Sequence, residues 1–304
     1  MQSITHKKIF WRHFSENDDA TVAALERDFE FHSLDLEDVA SPPQQPKTDF
    51  YKNYLFAIFH FPDYHKQEER IHVFELDAFL TDECLITVGK GDSGRLKDFF
   101  AELEASGETR AECMGQGPGF LLYKLLDALT ETSWSVIRRI SSQMGDIEEE
   151  IYSESTGKGT VWRIALIRRN LIRLQRIVNP QLVVLASLVA ADKPYLAHEF
   201  SVYFDDVQDT ENRLQAITAG NVEVMNTLHN VNESLISQRT NEIIKLLTAI
   251  SVSLLPMTLL TGFYGMNVSG LPYADHPNSV WLIFAGLFAI ICFFIIMFKR
   301  KDWV

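Results

Sequence analysis

Gly265-Met266-Asn267 lies between two uncharged runs near the end of the chain, and a stripe of small polar groups leads up to it. Asn241, Thr248, Ser251, Leu255, Thr258 and Gly262 follow one another at intervals of seven, three, four, three and four residues. That spacing places them on roughly one face of a helix. Amides and hydroxyls are neutral, so the chemistry open to them is hydrogen bonding rather than tight ionic binding. In an apolar helix, such a stripe marks a helix–helix interface or a water-filled path. One helix cannot enclose a path, so the second reading requires several copies around an axis.

The elements that carry these residues are hydrophobic spans. Residues 246–263 and 280–298 form runs of 18 and 19 residues without a charge. At about 1.5 Å per residue, each helix covers roughly the 30 Å of a bilayer core, which predicts a transmembrane hairpin. Lys299-Arg300-Lys301 follows the second run, whereas 264–279 contains no Lys or Arg. Excess positive charge marks the cytoplasmic side. The connecting loop is therefore expected outside and both termini inside, in a multi-pass protein of the cell's inner (plasma) membrane. Trp281 and Trp303 fall at the two expected water interfaces.

The 304 residues are 46% apolar and carry a formal charge of −13. This leaves room for a soluble domain of about 240 residues ahead of the hairpin. The acid excess disfavours nucleic acid as a partner and suits a surface that handles cations; solubility alone would ask for the same. Cys84, Cys113 and Cys292 stand far apart with no CxxC or Cys/His pairing. That fits a reducing cytoplasm and argues against a structural zinc site. The polar start, 1–14, does not read as a signal peptide. No phosphate loop, nucleophile–base pair or catalytic metal spacing is visible, so an enzyme or an ATP-driven pump is not expected.

By pattern the chain divides at 1–115, 116–199, 200–263, 264–279, 280–298 and 299–304. The first segment reads as an α+β cytoplasmic domain. Helices are expected over 18–29 and 34–39, a break at Ser41-Pro42-Pro43, and strands over 54–61, 71–79 and 84–88. Pro62-Asp63 and Thr81-Asp82 are expected to supply turns, and Gly91-Asp92-Ser93 to open a helix over 94–103. The second segment is an antiparallel helical hairpin, 120–152 and 160–191, about a turn at 153–159. Its first arm ends in Asp146, Glu148, Glu149 and Glu150, and its second begins with Arg163, Arg168, Arg169, Arg173 and Arg176. Opposite charges are thus predicted to meet near the turn. The third segment is a stalk helix with Leu214, Ile217, Asn221, Val224, Leu228, Val231, Leu235 and Gln238 at coiled-coil spacing, in phase with the polar stripe. Carried to residue 263, it would be on the order of 95 Å long. Identical copies around an axis would supply the partners such a rod needs.

Tyr264-Gly265-Met266-Asn267 at the end of the first span, followed by a second span and a tail ending Asp302-Trp303-Val304, resembles the CorA family of divalent-cation channels. Thr240-Asn241-Glu242 before the span, Pro256 within it, and the stretches 45–56 and 121–129 extend the resemblance over most of the chain. The resemblance implies a funnel-shaped homopentamer: an α+β cytoplasmic domain, a long helical stalk, and two C-terminal transmembrane helices of which the first lines a pore. Carried over by position, it implies that Asn267, supported by Gly265 and Met266, forms the outer ring that meets the hydrated ion. Thr258 and Asn241 become polar pore rings, with Leu255 and Ser251 on the same lining. Ile244 and Leu247 correspond to a hydrophobic constriction. Asp92 and Asp206 match the carboxylates of a regulatory metal site shared between neighbouring subunits.

Elementary chemistry is consistent with those roles. Mg²⁺ gives up its waters reluctantly. Rings of neutral amides and hydroxyls can hydrogen-bond those waters, whereas a carboxylate ring would hold the ion and slow its exit. A potential of roughly 100 mV supplies about 4.6 kcal/mol per divalent ion, enough to drive passive influx. The expected ion is Mg²⁺, both transported and regulatory, with Co²⁺ or Ni²⁺ also passing. The loop Val268-Ser269-Gly270-Leu271-Pro272-Tyr273-Ala274-Asp275-His276 departs from many magnesium members, which carry an acidic residue soon after the signature. Its Val-Ser-Gly-Leu-Pro stretch leans toward the ZntB-like branch, so a Zn²⁺ transporter is the alternative. A membrane-anchored oligomeric scaffold or sensor is a more remote one.

Overall fold

A computed structural model describes residues 1–153, 158–267, 272 and 277–300. The chain forms two compact units, Met1–His229 and Asn230–Val304.

The first unit is built on three long, contiguous apolar strands: β4 (Leu55–His65), β5 (Arg70–Leu80) and β6 (Cys84–Lys90). With β1 (Gln2–His6), β2 (Ile9–Phe14) and β3 (Lys47–Phe50), they form a six-stranded sheet in the order β1-β2-β6-β5-β4-β3. Neighbours run antiparallel except β2 and β6, which are parallel. Both faces are covered, which is why the central strands read as unbroken apolar runs rather than as alternations. Leu55, Ala57, Phe59 and Phe61 share one core with Phe74, Leu76 and Ala78 of β5. Phe56, Ile58 and Phe79 join the other.

Helices α1 (Asp19–Asp28) and α2 (Ser33–Ala40) close the second face through Leu25, Leu36 and Val39. The first face is closed by α3 (Gly94–Ala105), α4 (Gly107–Met114), α5 (Pro118–Tyr152) and α6 (Lys158–Val189), with Leu103, Met114, Leu122, Leu126 and Leu185 in its core. Side-chain oxygens cap three of these helices: Asp18 accepts from the Thr21 N–H, Ser93 from Leu96 and Ser106 from Thr109. Each such cap is worth about 1 kcal/mol. Gly117, at φ 126°, turns the chain into Pro118, the first residue of α5. That backbone angle suits only glycine. Inside the sheet, Lys90 Nζ sits 2.6 Å from Glu75 and 3.1 Å from Asp77, and donates to the Asp38 carbonyl at 2.8 Å, so its buried charge is compensated.

The strands expected over 54–61, 71–79 and 84–88 are present, but Pro62-Asp63 is not a turn. β4 continues through both residues to His65, with Pro62 opposite Val73 and Asp63 opposite His72. β3 pairs only with 55–58, so beyond that point β4 is an edge, where proline's missing N–H is tolerated. The turn falls at 66–69 instead. Most of the other expected turn, 153–159, lies outside the described residues.

A short 3₁₀ turn, His198–Phe200, leads into α7 (Ser201–Tyr264), a single helix of 64 residues with Pro256 inside it. The second unit consists of the later part of α7 and α8 (Ser279–Arg300). Lys299 and Arg300 form the last turn of α8, while 301–304 lie outside the described residues.

Candidate functional site

The helical register of α7 decides what the second unit can do. Asn241, Ile244, Leu247, Ser251, Leu255 and Thr258 are all solvent-exposed on the isolated chain, Leu255 at 68%. Ile243, Leu246, Ile250, Leu254, Leu259 and Phe263 are exposed as well, as are Trp281, Phe284, Phe288, Phe293 and Ile296 of α8. Soluble monomers do not carry contiguous apolar surface on this scale. Both helices are long and apolar enough to cross a membrane, and the chain itself covers almost none of their apolar stretches.

Three hydroxyls of the first span have a definite polarity. Ser253 donates to the Ala249 carbonyl at 2.7 Å, Thr258 to Leu254 at 3.0 Å, and Thr261 to Met257 at 2.9 Å. Each hydroxyl proton is thereby used within the helix, and the oxygen lone pairs remain to accept from outside. At the C-terminus of α7, the Gly265 N–H closes on the Thr261 carbonyl at 2.9 Å. A Cβ at Gly265 would meet that same oxygen at 3.0 Å, so glycine permits the close approach. Met266 and Asn267 follow, exposed and outside regular structure. The loop 268–271 and 273–276, with Asp275 and His276, lies outside the described residues.

The two candidate regulatory carboxylates are both in the first unit and both exposed. Asp92 sits in the turn between β6 and α3, 2.5 Å from Lys97 Nζ, and that hydrogen bond holds its carboxyl below the usual range. Asp206 lies on α7 beside Asp127 of α5. Partial burial, and after it the charge on Asp206, push the Asp127 carboxyl upward. Asp127 is the residue that sequence reasoning passed over; its only signal was a place on the polar flank of α5, three residues after Lys124 and four before Glu131.

The predicted pairing of charge between the hairpin arms is confined to the turn. Arg163 is 2.5 Å from Glu150, and Thr160 also donates to that carboxylate. Arg173 instead donates to the Ile71 carbonyl at 2.7 Å. Arg168, Arg169 and Arg176 line a groove with Arg70 and His60.

A doubly covered mixed sheet, one long helix whose last part is of membrane length, and a second apolar helix of that length describe a protein of the two-span membrane class. The sequence matches the CorA-like Mg²⁺ transporter protein family over residues 6–300, and the chain belongs to that family. It is 28% identical over 277 residues to the cobalt/magnesium transport protein CorA of Thermotoga maritima, covering 91% of this chain and 78% of that one. It is 22% identical to the zinc transport protein ZntB of Pectobacterium atrosepticum, over 75% of this chain and 67% of that one. The fold superposes on the complete structure of the CorA magnesium transporter from Methanocaldococcus jannaschii with a TM-score of 0.84. That match has 21% identity and covers 100% of this chain and 95% of the other. The protein is thus a CorA-family transporter of divalent cations.

Proposed function

We propose that the protein is a homopentameric channel for passive, membrane-potential-driven influx of Mg²⁺, admitting Co²⁺ and Ni²⁺, and gated by cytoplasmic Mg²⁺. The observation that carries this reading is the exposed stripe of α7, on which Thr258 gives its proton to the Leu254 carbonyl and keeps its lone pairs for an outside donor. A hydrated Mg²⁺ presents water hydrogens outward, so it needs acceptors, and neutral ones let it leave again. In this arrangement Asn267 meets the hydrated ion at the mouth, held there by the tight Gly265–Thr261 closure. Thr258, Ser251 and Asn241 form rings of acceptors along the path, with Leu255 between them, and Ile244 and Leu247 form the constriction that closes by dewetting. The basic end of α8 supports a topology with both termini in the cytoplasm and the spans in the inner membrane.

Asp92 and Asp206 of neighbouring subunits would hold the regulatory Mg²⁺, with Asp127 adding a third oxygen donor. Hard carboxylate oxygens suit that ion. Asp127, raised partly by its acidic neighbour, fits a cation there. The similarity to the zinc transporter supports a second reading, in which the ion carried is Zn²⁺. The test is flux into proteoliposomes under an imposed potential, comparing Mg²⁺ with Zn²⁺, together with the mass of the detergent-solubilised assembly. Mg²⁺ entry through a five-chain particle supports the proposal. Zn²⁺ entry without Mg²⁺ entry selects the second reading, and a membrane-bound oligomer without flux would make the chain a scaffold or sensor.

A further inference from the structure

The hairpin that joins β4 to β5 gathers side chains of a different chemistry. Asp63 and His65 lie two residues apart on one face of β4, and His72 of β5 pairs directly opposite Asp63, so all three project to the same side. The turn then brings Glu68 back over them, with Glu69 at φ 52° allowing the reversal. The His65 and His72 rings are 4.2 Å apart between centroids. His65 Nε2 is 2.8 Å from Asp63 Oδ2, and His72 Nε2 is 3.1 Å from Glu68 Oε2. One ligand atom from each of His65, Glu68 and His72 lies within 4.8 Å of the others.

Two imidazoles side by side, each against its own carboxylate, need a proton on each ring to keep both contacts. A single divalent cation could replace those protons and satisfy every partner at once. With metal–nitrogen bonds of about 2.0–2.1 Å, tetrahedral donors stand about 3.4 Å apart, so ligand atoms within 4.8 Å of one another must close by at most about 1.4 Å. His65 and Glu68 are exposed and His72 is half-buried, so side-chain rotation at the first two can make that adjustment. Imidazole selects against Mg²⁺, which prefers oxygen ligands, and for Zn²⁺, Co²⁺ or Ni²⁺.

We infer that His65, Glu68 and His72, with Asp63 beside them as a fourth donor, form a binding site for a zinc-class transition-metal ion on the soluble unit. None of its residues belongs to the spans or to the candidate regulatory carboxylates. Its nearest link to the regulatory carboxylates is Asp92, which lies close enough to feel the charge of His65. Arg70, opposite His65 in the ladder, is the one cation that register places at the site among the described residues, and it also lines the groove with Arg168 and Arg169. A pattern of His, two residues, Glu, three residues, His was present in the sequence, but the expected turn at Pro62-Asp63 would have separated Asp63 and His65 from His72.

The test uses the full chain in detergent, purified without a polyhistidine tag and saturated with Mg²⁺ so that oxygen sites are filled. Co²⁺ is then titrated and its visible ligand-field absorption recorded. One Co²⁺ per chain with a low-coordinate spectrum, displaced by Zn²⁺ and not by further Mg²⁺, is expected. His65→Asn/His72→Asn should abolish it, and Glu68→Gln, which leaves both rings in place, should weaken it by at least about tenfold. Wild-type protein without a Zn²⁺-displaceable signal, or a signal unchanged in either variant, overturns the inference. Binding is read without transport, so a failure of the proposed channel activity does not bear on it.

Discussion

Asp206 of α7 stands beside Asp127 of α5, and the two carboxylates strain against each other on the surface of the soluble unit. Burial comes first in raising the Asp127 carboxyl, and the neighbouring negative charge comes second. Like charges brought together repel, and at an exposed site solvent and salt screen much of that repulsion. A cation bound there would relieve that repulsion. Asp206→Lys places an ammonium where the cation would sit, so this variant should resist limited proteolysis without Mg²⁺ as the wild type does with it. Asp127→Asn should shift the Mg²⁺ dependence of protection to higher concentration. Wild-type proteolysis indifferent to Mg²⁺ would remove the regulatory role from both residues.

The outward lone pairs of the first span give a sharper test than deletion of polarity. Thr258→Val keeps the shape of the side chain and removes its oxygen, so assembly should be unaffected while Mg²⁺ flux falls several-fold. Asn267→Ala removes the amide at the mouth and should abolish flux in an assembled particle. Flux at the wild-type rate in correctly assembled Asn267→Ala protein would rule out its selectivity role.

Much of this architecture is legible in the chain because its long elements repeat a period many times. The spans, the central strands and the three long helices all follow from periodicity or from apolar length. The edges do not. β2 pairs in parallel with β6, and the Trp11 indole donates to Thr87 Oγ1 at 2.9 Å across 76 residues of sequence. No local pattern encodes a partner so distant. Pro62 misleads for a related reason: whether proline breaks a strand depends on which neighbour that strand lacks. Asp127 is hidden because a carboxylate on the polar side of an amphipathic helix looks like any other until the packing of α7 sets Asp206 against it.

Leu247 tests the constriction. A ring of leucine side chains excludes water at pore radius, so Leu247→Asn should hydrate the closed state and raise the basal current of reconstituted protein. An unchanged closed-state current in the double variant Ile244→Asn/Leu247→Asn would place the gate elsewhere.

Glu211 of α7 is buried where α6 packs against it, and Gln181 Nε2 donates to its Oε1 at 3.2 Å. Among the described residues the other carboxylate oxygen, Oε2, makes no hydrogen bond of good geometry, although the Thr130 hydroxyl is near enough to favour the charged form. Burial pushes its pKa up from 4.5 to about 7, more than Gln181 and Thr130 can pull it down. The folded state therefore holds a proton that the unfolded chain releases above its own, lower pKa. Stability from this group is fully present below pH 4.5 and is lost as the pH rises through about 7. The full loss is on the order of 3 kcal/mol. Glu211→Gln keeps an oxygen for Gln181 and cannot ionise. It should match the wild type in thermal unfolding at acid pH and exceed it in mildly alkaline buffer, so that the difference in Tm opens across neutrality. A Tm difference independent of pH would mean that Glu211 is ionised in the folded protein, with its charge met by a partner.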